Sequence, residues 1–305
     1  MKKNSLFFGI FILIAYALIF PSDAIKATQD ALLLWYQKVL PTLLPFAIFS
    51  NILISSNCIT ALTSRFFKRF GKIPVSEDEV FVLCTGLLFG FPMGSKNCAE
   101  LLKKEKISKK EADSLLLMSN HISPAFISGY LLTDQLGLKD LFPVSIALLY
   151  GPALLLGTAG LCKIQMSFHE KKEASRSQIN FKIIDAGIMN GCDTLVKIGG
   201  YMMLFALIGA AISKVPMPGM LYVIFMNLLE ITNGLHLLAL QPLDLRIKYS
   251  LAMAFTAFGG LSGIAQTGSM IRGTSLSIRK YVCQKILLSG ISFLLAWCIS
   301  FVYGI

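Results

Sequence analysis

Gly90-Phe91-Pro92-Met93-Gly94-Ser95-Lys96-Asn97 cuts short an apolar stretch that begins at residue 80 and has covered only about half a bilayer when it meets these residues. Gly and Pro break a helix at this point, and a helical run then leads from Ser95 into Lys103, Lys104, Lys106, Lys109 and Lys110. Upstream, Arg65, Lys68, Arg69 and Lys72 form another basic cluster. Basic residues collect on the cytoplasmic side of membrane proteins, so both flanks of the interrupted segment lie on one side. The reading is a re-entrant helical hairpin with its tip at 90–97, tolerated at membrane depth where its open backbone is buried in protein or lines a cavity.

The rest of the chain supplies the membrane. Of 305 residues 55% are hydrophobic and 15% charged, against about 25% charged in an ordinary soluble domain. Apolar stretches long enough to cross recur at residues 5–20, 41–62, 141–162, 194–213 and 283–303. Lys2 and Lys3 precede the first, and Ser22-Asp23-Ala24 follows it; a retained anchor is expected over a cleaved signal peptide. With the N-terminus cytoplasmic, 20 basic residues fall inside, Lys285 among them, and six outside. The net charge of +11 therefore reports topology and implies no nucleic-acid partner. Seven scattered cysteines, with no C-x-x-C pair, read as small hydrophobes. His121, His169 and His236 have no metal-ligand spacing, so neither metal nor cofactor is expected.

Beyond residue 163 the same order of elements returns. An amphipathic stretch at 179–193 precedes the span at 194–213, as residues 27–39 precede the span at 41–62. Residues 219–242 are interrupted at Glu230-Ile231-Thr232-Asn233-Gly234, with both flanks outside, which makes a second hairpin entering from the opposite face. Two further helices are broken, at Ser119-Asn120-His121-Ile122-Ser123-Pro124 and at Gly259-Gly260-Leu261-Ser262-Gly263. The fold expected is an all-α integral membrane protein: an anchor at 1–26, a first repeat at 27–162, a cytoplasmic linker at 163–182 and a second, inverted repeat at 183–305. Inverted repeats with discontinuous helices point to a transporter with a midplane site.

A broken helix frees amides at its new N-terminus and carbonyls at its new C-terminus, which suit anions and cations respectively. Ser95, Lys96 and Asn97 at the first tip, Asn120 and Ser123 at the first break, Thr232 and Asn233 at the second tip, and Ser262 and Gln266 at the second break are the candidate substrate-binding residues. Free amides together with the Lys96 ammonium suit a small anionic substrate such as a carboxylate. Lys96 snorkelling to the surface is the competing reading, and for Lys197, one turn inside a span end, that reading is preferred. Glu230, a carboxylate well inside an apolar segment, is the coupling candidate; a proton, a sodium ion, a substrate contact and a structural partner for Asn233 or Lys96 are all open. His121 reads as a hydrogen-bonded break residue ahead of a proton relay. No nucleophile, base and orienting group occur at usable spacing, so an enzyme is not expected.

These residues also carry a resemblance. Leu40-Pro41-Thr42-Leu43-Leu44-Pro45-Phe46, Gly90 to Lys96, Ser119-Asn120, Glu230 to Gly234, Phe258 to Ser262 and Ala265-Gln266, taken in order, resemble the YlbJ or SpoVV family of sporulation integral membrane proteins. Its members contain nucleoside-recognition (Gate) domains related to concentrative nucleoside transporters. The resemblance implies a carrier that moves dipicolinic acid from the mother cell across the outer forespore membrane. At the first break this chain has Ser123 where the family pattern resembles a second Asn. A nucleoside or other small-carboxylate carrier, and a non-transporting assembly component of a sporulation membrane complex, are the alternatives; the oligomeric state stays open.

Overall fold

A computed structural model describes residues 3–56, 58–59, 76–164 and 180–304, without the side chains of 3–6 and 162–164. Lys2, Arg65, Lys68, Arg69, Lys72, His169, Lys171, Lys172 and Arg176, and the side chains of Lys3, Cys162 and Lys163, lie outside the described residues. Much of the charge pattern that sets the expected orientation is thus outside the description.

The protein is an all-α integral membrane protein. Helix α1 spans Lys3–Ile19 and stops where Pro21 opens the next helix. That helix, α2, runs unbroken over Pro21–Ser55 with a π-turn at Trp35–Val39. The amphipathic stretch and the span are thus one helix, since nothing between them breaks the backbone. The same holds for α8, Phe181–Ile212, begun by an Asn180 cap.

After α2 come the antiparallel pair α3 (Glu77–Phe89) and α4 (Met93–Lys103), joined at Gly90-Phe91-Pro92. Helix α5 (Lys109–Ser119) continues past a break at Asn120 as α6 (Phe126–Leu136), wound as a π-helix, and α7 (Phe142–Ile164) follows. After α8 the order recurs: the pair α9 (Gly219–Leu229) and α10 (Ile231–Ala239), the interrupted helix α11 (Leu245–Phe258) and α12 (Gly260–Met270), then α13 (Ile278–Tyr303). Helices α2, α7 with its leading turn, α8 and α13 are long and apolar enough to cross a membrane; α1 and α9 are apolar but shorter.

Local chemistry accounts for the boundaries. Ser76 with Glu79, and Ser108 with Glu111, form reciprocal capping boxes that start α3 and α5. Asp244 and Ser277 cap α11 and α13. Gly259 and Gly260, at φ of 81° and 72°, take the left-handed backbone that separates α11 from α12. Large apolar side chains such as Phe8, Phe11, Leu18, Leu155, Phe181, Met189, Val196, Leu294 and Val302 face outward, as lipid-facing helices require.

Close helix contacts use small residues. Gly187 and Gly191 of α8 lie against Ile52 and Ile48 of α2, and the Trp35 ring covers Gly199 while its Nε1 donates to the Leu195 carbonyl at 2.9 Å. At the first hairpin, Gly86 and Gly94 both face the end of α5, where a methyl group on Gly94 would lie 2.5 Å from the Ser119 carbonyl oxygen. The blocking atoms are backbone, so Gly94→Ala should force the hairpin off α5. A loss of about 1–3 kcal/mol is expected, read as a lower thermal midpoint of the purified protein in detergent, whereas Gly290→Ala, where no heavy atom lies within 4 Å, should change little.

Candidate functional site

The four interruptions meet one another. At the first tip the Phe91 amide donates to the His121 carbonyl at 2.6 Å, and Gly90 packs on Ser123. The Phe91 ring lies under Gly263, where an added methyl would approach it to 3.1 Å. A methyl on Gly260 would lie 3.3 Å from the Ile231 amide nitrogen and 3.4 Å from the Leu229 carbonyl oxygen, so the second tip rests on the second break. The Tyr130 hydroxyl of α6 donates to the Thr232 carbonyl at 2.6 Å, which ties the second hairpin to the first broken helix.

Asn120 is the junction. Its Oδ1 accepts from the Ser95 amide at 3.2 Å, and its Nδ2 donates to the Thr267 and Tyr281 hydroxyl oxygens, each at 2.8 Å. The amide orientation follows from the network: the Thr267 hydroxyl donates to the Gly263 carbonyl and the Tyr281 hydroxyl to the Asn120 carbonyl, so both oxygens present lone pairs to Nδ2. Both polar side-chain atoms are engaged within the protein, in three hydrogen bonds, and the residue is buried.

The other candidates divide into groups that do not share one cavity. Ser95 turns its hydroxyl to the Pro92 carbonyl at 2.8 Å. Asn97 donates to Thr85 at 2.9 Å and to Ser50 at 3.4 Å, leaving its buried carbonyl oxygen without a partner among the described residues. Ser123 accepts from the Phe126 amide at 3.4 Å, as the cap of the helix beyond the break. Gln266 donates to Ser262 at 3.3 Å on the same face of α12.

The amides expected to be free at the start of α4 are largely taken: Met93 donates to Gly90, Ser95 to Asn120 and Lys96 to Pro92. What stays open is the Lys96 side chain. It is 6% exposed and its ammonium has no hydrogen-bond partner among the described residues. Glu100, Asp193 and Lys197 are the charges that act on it. Lys197 itself pairs with Asp193 at 2.5 Å on an exposed face.

Glu230 ends α9 and caps α10, its two carboxylate oxygens accepting from the Thr232 and Asn233 amides at 3.0 and 2.9 Å. The second hairpin therefore supplies its own anion to its own helix N-terminus. Glu230, Thr232 and Asn233 line an open cavity of about 360 Å³ between the hairpin, α2 and α8. Asp30 and His236 also line it, the latter held by Gln135 at 3.0 Å. Two carboxylates make this cavity a poor host for a dianion. Among the described residues no group of three or more His, Cys, Asp or Glu side chains could hold a metal ion.

Sequence reasoning missed Asp30, Thr267, Tyr281 and Lys285. Lys285, counted among the cytoplasmic basic residues, is 3% exposed with its ammonium 3.4 Å from His121 Nδ1. Its place inside the apolar stretch at 283–303 was the available signal.

The sequence has a similar counterpart among known proteins. Over 334 aligned positions the chain is 24% identical to the sporulation integral membrane protein YlbJ of Bacillus subtilis (strain 168), covering 94% of this chain and 80% of that protein. The chain is YlbJ-like. With so little of it left out, the similarity to YlbJ runs through both hairpins and both broken helices. No family model and no solved structure matches.

In this YlbJ-like chain Asn120→Ala should strand the Ser95 amide and disturb Tyr281 and Thr267, at about 1–3 kcal/mol for each buried group left unpaired. Asn120→Asp should be at least as damaging, because it sets a carboxylate against hydroxyl lone pairs. Thermal unfolding in detergent checks both.

Proposed function

We propose that the protein is a membrane carrier, not an enzyme, whose cargo is a small carboxylate dianion. The observation that carries this is the Lys96 ammonium, buried at a hairpin tip with no hydrogen-bond partner among the described residues. An unpaired buried cation is costly, and a carboxylate is the group that best offsets the cost. In this reading the α3–α4 and α9–α10 pairs are re-entrant hairpins of two inverted Gate-like repeats, and the four interruptions surround the path of the cargo.

In the same reading the cargo is dipicolinate, moved from the mother cell across the outer forespore membrane, with the N-terminus cytoplasmic; the similarity to a sporulation integral membrane protein supports only a part in sporulation. A nucleoside is the second reading, favoured by the cavity in which Asn233 and Thr232 offer hydrogen bonds beside Asp30 and Glu230. That lining suits a polar, uncharged solute better than a dianion.

Uptake of labelled dipicolinate into liposomes carrying the full chain tests the proposal, with nucleosides and other dicarboxylates as competitors. Saturable dipicolinate uptake is expected, and Lys96→Ala should remove at least about 90% of it, as loss of a charge-assisted contact of about 1.5–3 kcal/mol implies. Uptake unchanged in Lys96→Ala would overturn the carboxylate site; competition by nucleosides alone would favour the second reading.

A further inference from the structure

His121 and Lys285 are not used by the carboxylate site, yet they are among the most enclosed ionisable groups of the protein, each 3% exposed. His121 Nε2 lies 2.8 Å from the Leu117 carbonyl oxygen, which can only accept, so Nε2 carries a hydrogen. Nδ1 lies 3.4 Å from Lys285 Nζ. A hydrogen on Nδ1 beside a charged amine would set imidazolium against ammonium. The imidazole is therefore neutral when the amine is charged, and Nδ1 accepts from Nζ. Two groups share one positive charge.

Among the described residues, the surroundings offer that charge no anion. From α7, the Tyr150 ring centre lies 5.5 Å from that of His121, and its hydroxyl donates to the Ile122 carbonyl at 2.6 Å. From α13 itself, the Tyr281 ring lies 5.6 Å from Nζ, with its hydroxyl in the Asn120 network. Helix α12 presents Thr267 to that network and carries no ionisable group. On α11, Arg246 lies over the Phe301 ring, Lys248 donates to the Ala239 carbonyl and Tyr249 bonds Ser145. On α5, Asp113 pairs with Lys280 at 2.8 Å. Lys285 is the one charge found to act on His121 among the described residues.

We infer that His121 and Lys285 form a proton-binding pair through which the carrier takes up one proton together with its anionic cargo, an inference that rests on the transport reading above. A proton from water bonds to the Lys285 Nζ lone pair of the neutral pair. Transfer across the 3.4 Å contact moves it to the Nδ1 lone pair, leaving a neutral amine and an imidazolium, and release to water restores the start. The total charge alternates between zero and one.

The pair is connected to the cargo site through backbone neighbours and one hydrogen bond. His121 follows Asn120, which holds the Ser95 amide, and Ser95 precedes Lys96. An anion at Lys96 and a proton at His121 and Lys285 thus load the same junction with opposite charges, and linkage makes each favour the other. Glu230, by contrast, has both oxygens bound to the helix it caps.

Two measurements on the full chain test the pair. In liposomes, an inwardly directed proton gradient should accelerate dipicolinate uptake by about fivefold or more, the low end of a typical coupling factor, and the acceleration should vanish in Lys285→Met and in His121→Gln. Acceleration equal to the wild type in both variants would overturn the inference. Independently of transport, nitrogen-15 NMR of histidine-labelled protein carrying His169→Gln and His236→Gln observes His121 by itself. A neutral Nε2–H tautomer at high pH and one titration step that Lys285→Met shifts or removes are expected. A signal that ignores pH, or that titrates identically in Lys285→Met, would overturn the pair. If the NMR step is present but wild-type liposomes take up neither dipicolinate nor nucleosides, the carrier reading falls and the proton site stands without its cargo.

Discussion

A helix interrupted at membrane depth leaves amides and carbonyls that lipid cannot hydrogen-bond, and the rest of this structure is arranged around that constraint. Asn120 meets the largest share of it. A single carboxamide receives the Ser95 amide of the first hairpin and donates to hydroxyls on α12 and α13, so four segments distant in sequence share one buried node. The Phe91 amide and the His121 carbonyl close the same junction. Buried as they are, these bonds fix the two breaks and the first tip relative to one another.

The two hairpins meet the constraint differently, and the difference separates their chemistry. The second brings its own anion: Glu230 caps α10 and leaves a cavity that is acidic, with Asp30 opposite. The first uses the neutral Asn120 amide for the same task, and the Lys96 ammonium beside it has no hydrogen-bond partner among the described residues. One tip is thus neutralised and the other is left cationic. In the carrier reading proposed above, the anionic cargo sits at the cationic one.

Lys285 shows how a charge can be misassigned by its sequence neighbours. It follows Arg279 and Lys280, and counting them together places it at the membrane surface. Lys280 does reach the surface and pairs with Asp113, but five residues on, α13 has turned its face inward and Lys285 meets His121. Enclosure, the absence of a facing carboxylate among the described residues and the fixed hydrogen on Nε2 are the features on which the proposed proton pair rests.

The sequence by itself determined the membrane class and the places where helices are interrupted. These depend on local properties: the length of apolar runs, the Ser76 and Ser108 capping boxes, the missing amide of Pro92 and Pro124, and the backbone freedom of Gly259 and Gly260. Only the tertiary structure decided what each polar residue does at those places. Asn120 and Lys96 look alike in sequence as polar residues at breaks, yet one has every bonding atom engaged and the other has none at its ammonium, because satisfaction depends on partners as far as 161 residues away. Periodicity reports which residues share a helix face. It does not report which hydroxyl, from another helix, arrives to meet them.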